Sequence, residues 1–549
     1  MEYHQGERVE HMGMLPTMAA HRYGDKTLFT FMGREHSYEE IEAQANQMAN
    51  VLVDQGVEPG DRVGIFVPNT PQFPVAYFGA IKAGAVATPL NLRMDPESLG
   101  YVVQDDGIDV VVGSPYIADE AKNLAGAADI ETLLVPGVSD EDKGFVNLSH
   151  VMGEAEDSFE VVDRDYTATA AQPYTSGTTG KPKGVMLSHR NLLSTLESYN
   201  RGGLGIDPDD TLVLVLPMFH IYALNALMST LMVSGAEMNL QPQPEPEALL
   251  SGIDDNDATV FAGVPALYTQ MFRLYRENPD EYDLSSLEYV VCAAAPLPDE
   301  TRRTIEKEWD VPMVEGWGMT ETSPAGTIEP VNGVKKEAGC VGPALPGIDL
   351  KLVDPDTREE KITPDDLNPR PDPDIDYDDE DAVTGELAIK GDNVFEGYYN
   401  MPERTRQVKD EEGWFYTEDV AKVDEDGYFW IVDRADDMII AGGENIYPAE
   451  VEDALYEHPD VAEAGVAGAP HEVKGEAPVA FVVLEEGAEV SEEELRKFTL
   501  DYLATYAHPR RIFFVDELPR SATEKVQRHK LEEMAEEYLD EPLSSSEEL

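Results

Sequence analysis

Lysine and arginine are scarce in this chain: 40 of them stand against 109 aspartates and glutamates, a formal net charge of -69 over 549 residues. That balance, with no Lys/Arg cluster standing out, argues against nucleic-acid binding through a basic surface. Self-repulsion on this scale destabilises a compact state in dilute buffer, whereas near-molar salt shortens the Debye length to about 3 Å and removes most of it. The charge reads as adaptation to a salt-filled cytoplasm, that of a halophile. A disordered chain or acidic tail would also be acidic, but here the acids are spread throughout and interleaved with apolar periodicity.

Cysteine is nearly absent. Cys292 and Cys340 cannot build a disulfide framework, which fits a reducing cytoplasm. No stretch approaches the roughly 18 apolar residues of a membrane helix. The opening Met1, Glu2, Tyr3, His4 has neither the basic region nor the apolar core of a signal peptide. A cytoplasmic protein without a transmembrane segment is expected. With 549 residues, 42% of them hydrophobic, the chain exceeds what one core usually supports, so two or more domains are expected.

What is present begins with the run Tyr174, Thr175, Ser176, Gly177, Thr178, Thr179, Gly180, Lys181, Pro182, Lys183, Gly184. Its glycines let backbone approach a polyphosphate closely, while hydroxyls, amides and ammonium groups contact the oxygens. It reads as a nucleotide-phosphate clamp, though not the P-loop, which needs four residues between its glycines and Ser or Thr directly after the lysine. Here two residues separate Gly177 from Gly180, and Pro182 follows Lys181. A flexible Gly/Thr linker is the plainer alternative, but linkers rarely end in an apolar run such as Val185, Met186, Leu187.

The first 300 or so residues alternate helical and strand signals, an α/β pattern. Ser37 and Glu40 have capping-box spacing, and Ile41, Ala45, Met48, Ala49 and Leu52 follow at helical intervals up to Gly56. Residues 62–67, 108–113, 212–216, 259–264 and 287–293 read as buried strands. The clamp falls between a strand near 170–174 and another near 184–187, a hairpin-like setting. The proline-interrupted, aspartate-rich stretch 355–382 reads as a solvated surface loop without chemistry. After Asp433 a compact segment carries its own signals, at 448–458, 461–467, 478–484, 491–506 and 510–515, with a second capping box at Ser491 and Glu494. The expected organisation is a large multi-subdomain N-terminal α/β domain over 1–433, a hinge at 434–437, a small mobile α+β C-terminal domain over 438–540 and a frayed tail at 541–549.

The clamp, taken with later segments in order, resembles the adenylate-forming superfamily of acyl-CoA synthetases, luciferases and peptide-synthetase adenylation domains, over about Thr27 to Leu531. The resemblance implies two half-reactions: carboxylate plus ATP gives acyl-adenylate and pyrophosphate, and thiol attack then gives a thioester. A carboxylate is already a nucleophile, so the demand is for charge neutralisation at the α-phosphate and the departing pyrophosphate. Thr175, Ser176, Gly177, Thr178, Thr179, Gly180 and Lys183 would supply part of it and Mg²⁺ the rest.

Gly316, Trp317, Gly318, Met319, Thr320, Glu321 matches the family's aromatic-Gly-x-Thr-Glu motif. The match implies that Trp317 flanks adenine, Thr320 contacts the α-phosphate and Glu321 helps hold Mg²⁺. Taken alone, the run reads equally well as a tight turn with a buried Trp. Ala294, Ala295 and Pro296 resemble the small-residue segment beside adenine, with Ala where the family usually has Gly. Asp419, in Gly413–Asp419, matches the ribose acceptor, and Glu418 stands where the family usually has Gly, in a place where φ > 0 would suit Gly better than Glu. Arg434 is implied as a second ribose contact, Asp436 as the pivot and Lys525 as the adenylation lysine, mobile with its domain. Glu524 also replaces a usual Gly.

Gly442, Gly443 and Glu444 resemble the turn lining the pantetheine tunnel of CoA ligases, which makes coenzyme A the expected acceptor. His220, where peptide-synthetase domains carry Asp, disfavours an amino-acid substrate. Phe219, Tyr222, Val264 and Pro265 are acyl-pocket candidates, apolar as an aliphatic or aryl chain requires, and His220 is a candidate for the carboxylate's neighbourhood, with a packed or capping histidine as the alternative. The resemblance thus implies an AMP-forming acid–thiol ligase of lipid metabolism, for a medium- to long-chain fatty acid, its partners being the acid, ATP and CoA, with a homodimer allowed for. The rival readings are an aryl acid–CoA ligase, another acyl-adenylating enzyme, and a non-catalytic nucleotide-binding relative. The charge balance carries its own prediction: moving the protein from molar KCl to dilute buffer abolishes its folded circular dichroism spectrum and its activity, and full activity in dilute buffer would refute the halophilic reading.

Overall fold

The computed structural model describes residues 2–3, 7–128, 130–140, 143–175, 181–293, 299–334, 336, 339–355, 357–367, 375–434, 437–441, 444–471, 473–485, 487–500, 502–503, 507–520, 526–539 and 543. It is a mixed α/β structure with a large N-terminal part and a small C-terminal part. Local signals set many helices. Ser37 caps Tyr38–Asp54 by accepting from the Glu40 amide at 3.1 Å, and Glu39 and Glu40 lie at the positive end of its dipole. Its buried Ile41, Ala45, Met48, Ala49 and Leu52 form the expected stripe. This helix packs so closely on Gln72–Lys82 that a Cβ at Gly79 would lie 2.4 Å from Met48 Cγ.

Among the described residues, two large sheets carry the N-terminal part. In the first, Thr169–Ala171, Val86–Pro89, Arg62–Phe66, Val110–Gly113, Thr132–Val135 and Phe145–Asn147 run parallel in that spatial order. In the second, Met313–Trp317, Tyr289–Ala293, Val260–Gly263, Thr211–Leu214, Glu237–Leu240 and Thr27–Phe31 run parallel. Parallel strands buried on both faces read as unbroken apolar runs, and the runs expected near 62–67, 108–113, 212–216, 259–264 and 287–293 all fall on them, two residues shorter at some ends. An antiparallel sheet of Cys340–Gly342, Phe429–Arg434, Phe415–Val423, Thr384–Gly391, Ile348–Val353 and Glu360–Ile362 follows. One apolar cluster joins all three sheets, while separate clusters serve the C-terminal sheet and its helices Pro448–Tyr456, Glu492–Thr499 and Arg528–Tyr538.

The stretch 355–382 is not the structureless loop its composition suggests. Glu360–Ile362 pairs with Ile348–Val353, and Pro364–Leu367 and Glu380–Val383 are short helices. Ile362 is buried and explains the strand; the acids around it face outward.

The clamp does sit in a hairpin. Tyr174–Thr175 and Lys183–Ser188 pair antiparallel, Tyr174 opposite Gly184 and Thr175 opposite Lys183. A polar cluster ties this hairpin to the first sheet. The Tyr174 hydroxyl donates to Asp105 at 2.8 Å, and the fully buried Asp106 accepts from Thr88 Oγ1 at 2.6 Å and from Gln172. Burial pushes the Asp106 carboxyl up to about 6. The folded state therefore holds this proton more tightly than the unfolded chain, and the stability so gained is present below the ordinary carboxylate value of about 4 and lost as pH rises through about 6. Asp106→Asn removes the titration. Urea unfolding should show wild type losing about 3 kcal/mol relative to the variant between about pH 4 and pH 7, and a difference independent of pH would contradict it.

Candidate active site

Sheet order brings distant segments to one edge. The adjacent parallel strands Met313–Trp317, Tyr289–Ala293, Val260–Gly263 and Thr211–Leu214 carry or lead into, at their carboxyl ends, Gly316 to Glu321, Ala294 to Pro296, Val264 with Pro265, and Phe219 to Tyr222. Ligands of open α/β sheets bind at that end. Ala294, Ala295 and Pro296 lie outside the described residues, as do Ser176, Gly177, Thr178, Thr179 and Gly180 of the clamp.

Glu321 sits in a 3₁₀ turn, Thr320–Thr322, with its carboxylate buried. The turn folds tightly because Gly318 admits the Pro324 carbonyl where a Cβ would lie 1.7 Å from its oxygen. The Tyr398 hydroxyl donates to Glu321 Oε1 at 2.7 Å. Tyr398 belongs to the strand Gly397–Tyr398, paired antiparallel with the clamp strand Lys183–Ser188, and the Lys183 ammonium lies 5.0 Å from the centre of its ring. The clamp and the Glu321 turn are thus joined through a tyrosine. Burial raises the Glu321 carboxyl above its ordinary value and lowers the Lys183 ammonium below its own.

Trp317 and Asp419 meet directly: the indole N–H donates to Asp419 Oδ2 at 2.8 Å. Asp419 pairs across the antiparallel sheet with Arg434, whose Nε is 3.5 Å from Asp419 Oδ1. Glu418 holds φ 64°, the left-handed conformation that a glycine would take there freely. The local backbone therefore keeps the turn expected of Gly, with Glu in it. Its carboxylate pairs with Arg404 at 2.6 Å and faces Arg434 at 3.6 Å.

On the C-terminal side, Asp436, Gly442, Gly443 and Lys525 lie outside the described residues, as does the Glu444 side chain. The flanks of these segments are described. Arg520 and Val526 bridge antiparallel on either side of 521–525, and Arg528 pairs with Glu452 and, at 3.4 Å, with Asp437. Asp433 Oδ2 accepts from the Ala449 amide at 3.0 Å, tying the last N-terminal strand to the first C-terminal helix.

Of the acyl-pocket candidates, Phe219 lines a cavity together with His220, Pro89, Leu90, Asn91, Met94, Leu99, Val102 and Tyr174. Tyr222 opens a π-helix, Tyr222–Ser229, a geometry that recurs at functional sites. Within it Asn225 donates to the Ser323 carbonyl at 2.7 Å, fixing the helix to the Glu321 turn. Val264 and Pro265 start the helix after Val260–Gly263; neither lines that cavity.

No group of three or more His, Cys, Asp or Glu side chains able to hold a metal gathers among the described residues. One buried carboxylate, with one oxygen held by Tyr398, fits a hard divalent cation that takes most of its oxygens from phosphates and water. Tyr398, Arg404 and Asn225 were not among the sequence candidates. Tyr398 had one legible sign, the aromatic-glycine run Phe395 to Tyr399; Arg404 and Asn225 had none.

The comparisons with known proteins agree with this geometry. The AMP-binding enzyme family matches residues 17–399, and the AMP-binding enzyme C-terminal domain matches 450–525. The chain is 33% identical over 543 residues to the long-chain-fatty-acid–CoA ligase of Bacillus subtilis, covering 94% of this chain and 93% of that one. It is 31% identical over 506 residues to 4-coumarate–CoA ligase 2 of Nicotiana tabacum, covering 90% and 89%. Among solved structures, ATP-bound MatB from Rhodopseudomonas palustris aligns with TM-score 0.84 at 32% identity, over 96% of this chain and 100% of that one. No helix among the described residues is long and apolar enough to cross a membrane. With the clamp hairpin, the Glu321 turn and the Asp419–Arg434 pair linked across three sheets by Tyr398 and Trp317, and relatives matched along nearly their full length, the chain belongs to the AMP-binding enzyme family, as a Mg²⁺- and ATP-dependent ligase that joins an acid to coenzyme A through an acyl-adenylate.

Proposed function

We propose that the acid is a medium- to long-chain fatty acid. The observation that carries this reading is the lining beside His220: Pro89, Leu90, Met94, Leu99, Val102 and Phe219 are apolar, and among the described residues Asn91 and Tyr174 are the only other polar members and no Lys, Arg, Asp or Glu joins them. Such a wall suits an uncharged acyl body and gives a second carboxylate no partner. The name of the B. subtilis relative points the same way. An aryl acid is the second reading. The space open at this wall is about 10 Å³, so any acid must displace side chains, and a flat ring displaces fewer than a flexible chain.

In this reading Asp419 and Arg434 take the ribose hydroxyls, Trp317 flanks adenine, and Thr320 contacts the α-phosphate. Thr175, Lys183 and the clamp residues 176–180 cradle the departing pyrophosphate. Glu321 would hold Mg²⁺, which when bound neutralises phosphate charge. His220 lies near the carboxylate, with Phe219, Tyr222, Val264 and Pro265 along the acyl body. Lys525 brings a cation to the carboxylate and α-phosphate in one domain orientation, and Gly442, Gly443 and Glu444 line the thiol path in the other. The hinge runs over 434–437 about Asp436, between domains at 1–433 and 438–540, as the separate apolar clusters on either side support. The excess of acidic residues, 109 against 40 basic, supports a salt-rich cytoplasm as the working environment.

Acid-dependent pyrophosphate release, followed by thioester formation on adding CoA in high KCl, tests the assignment across a panel of acids. Aliphatic acids of medium or long chain should give kcat/KM at least about tenfold above cinnamic and benzoic acids, whereas the reverse order would establish the aryl reading. Lys525→Ala should lower adenylation by about 10² or more while leaving thioesterification of supplied acyl-adenylate within a few-fold of wild type. Equal loss of both steps would show that Lys525 is not the adenylation lysine.

A further inference from the structure

Two consecutive carboxylates address one guanidinium. Glu418 Oε2 lies 3.6 Å from Arg434 Nη2, and Asp419 Oδ1 lies 3.5 Å from Arg434 Nε. In a regular strand, neighbouring side chains point to opposite faces. Here the strand Phe415–Val423 departs from regular pairing: Glu386 faces Val420 while Ala388 faces Tyr416, so one residue lies between the pairs on one strand and three on the other. Glu418 absorbs the excess at φ 64°. The conformation is held from outside, by the Glu418 amide donating to Glu386 Oε1 at 3.1 Å and by Thr417 Oγ1, which donates to the Leu387 carbonyl at 2.7 Å and accepts from the Asp419 amide at 3.1 Å.

Glycine would make the same turn without strain, so the side chain has to account for glutamate at this position. That side chain joins two arginines: Oε1 accepts from Arg404 at 2.6 Å, and Oε2 faces Arg434. Arg404 and Arg434 are also close enough to act on Lys183, whose ammonium is lowered first by burial and then by Arg404. Three cations thus surround one edge of the site, and in the absence of nucleotide they repel one another. A carboxylate among them costs repulsion against the phosphates but keeps the cations gathered before ATP arrives.

We propose that Glu418 is a positioning residue for nucleotide binding: its carboxylate, presented by the strand irregularity, clamps Arg404 and fixes Arg434 between itself and Asp419. The inference rests on the placing of the ribose at Asp419 and Arg434. Its action is on the arginines and not on the reacting atoms, so it bears on ATP affinity and leaves the chemical step alone.

The test is steady-state kinetics of the full-length enzyme in molar KCl, with melting temperatures, for Glu418→Gly, Glu418→Gln, Arg404→Ala and Asp419→Ala. Glu418→Gly keeps the turn and should melt within about 2 °C of wild type or higher. Glu418→Gly, Glu418→Gln and Arg404→Ala should each raise KM for ATP about 5- to 10-fold with kcat within about twofold and KM for CoA unchanged. A structural role alone would lower the melting temperature of the variants and leave this KM-against-kcat split absent. An unchanged or lowered KM for ATP in Glu418→Gly would overturn the inference. If Asp419→Ala raises KM for ATP while the Glu418 variants do not, the inference falls alone; if none of them moves it, the ribose placement falls too.

Discussion

The hydrogen bond from Tyr398 to Glu321 holds the working parts in register. Its donor sits on a short strand paired to the clamp hairpin, and its acceptor sits in the turn that ends a strand of the other large sheet. It joins the Phe395 amide, which donates to the Glu321 carbonyl at 2.8 Å, and the shared apolar cluster in fixing the clamp hairpin against the turn of the other sheet. The bond also answers a cost. A buried carboxylate without partners is strongly disfavoured, and a tyrosine hydroxyl supplies one hydrogen bond while leaving the second oxygen for a cation. A second bridge, from the Trp317 indole to Asp419, does the same between the parallel sheet and the antiparallel one.

Charge is distributed in opposite senses on the surface and in the site. The chain as a whole is very acidic, yet Lys183, Arg404 and Arg434 gather at the edge where a polyphosphate is expected, each accompanied by a carboxylate. Screening in concentrated salt weakens the exposed acids far more than the half-buried pairs in the cleft. Concentrated salt would therefore relieve the acidic surface and leave the cationic edge intact. The cavity wall around Phe219 and His220 differs from this edge: it is mostly apolar, with Asn91 and Tyr174 its other polar members, and carries no Lys, Arg, Asp or Glu among the described residues.

Much of this was legible in the residues. Caps such as Ser37, the apolar runs of buried parallel strands, the hairpin around the clamp and the aromatic-Gly-x-Thr-Glu turn are short-range features, set by hydrogen bonds and side-chain periods within a few positions. Glu418 marks the limit. Its departure from glycine raised the question of a positive φ, and the structure shows that the φ stays while the glutamate gains two arginine partners. The acidic stretch at 355–382 misled for the opposite reason: composition announces solvent exposure, but the buried Ile362 anchors a strand there.

The sequence by itself determined the residue types available, the glycine- and hydroxyl-rich run at 174–184, the carboxylates Glu321 and Asp419 and the apolar stretch around Phe219, and their order along the chain. Only the tertiary structure decided which of them meet. Tyr398 lies 77 positions from Glu321 and Asp419 lies 102 from Trp317. Contacts over such separations follow from the order of strands in the sheets, which is settled by burial of whole apolar faces and not by any local run of residues.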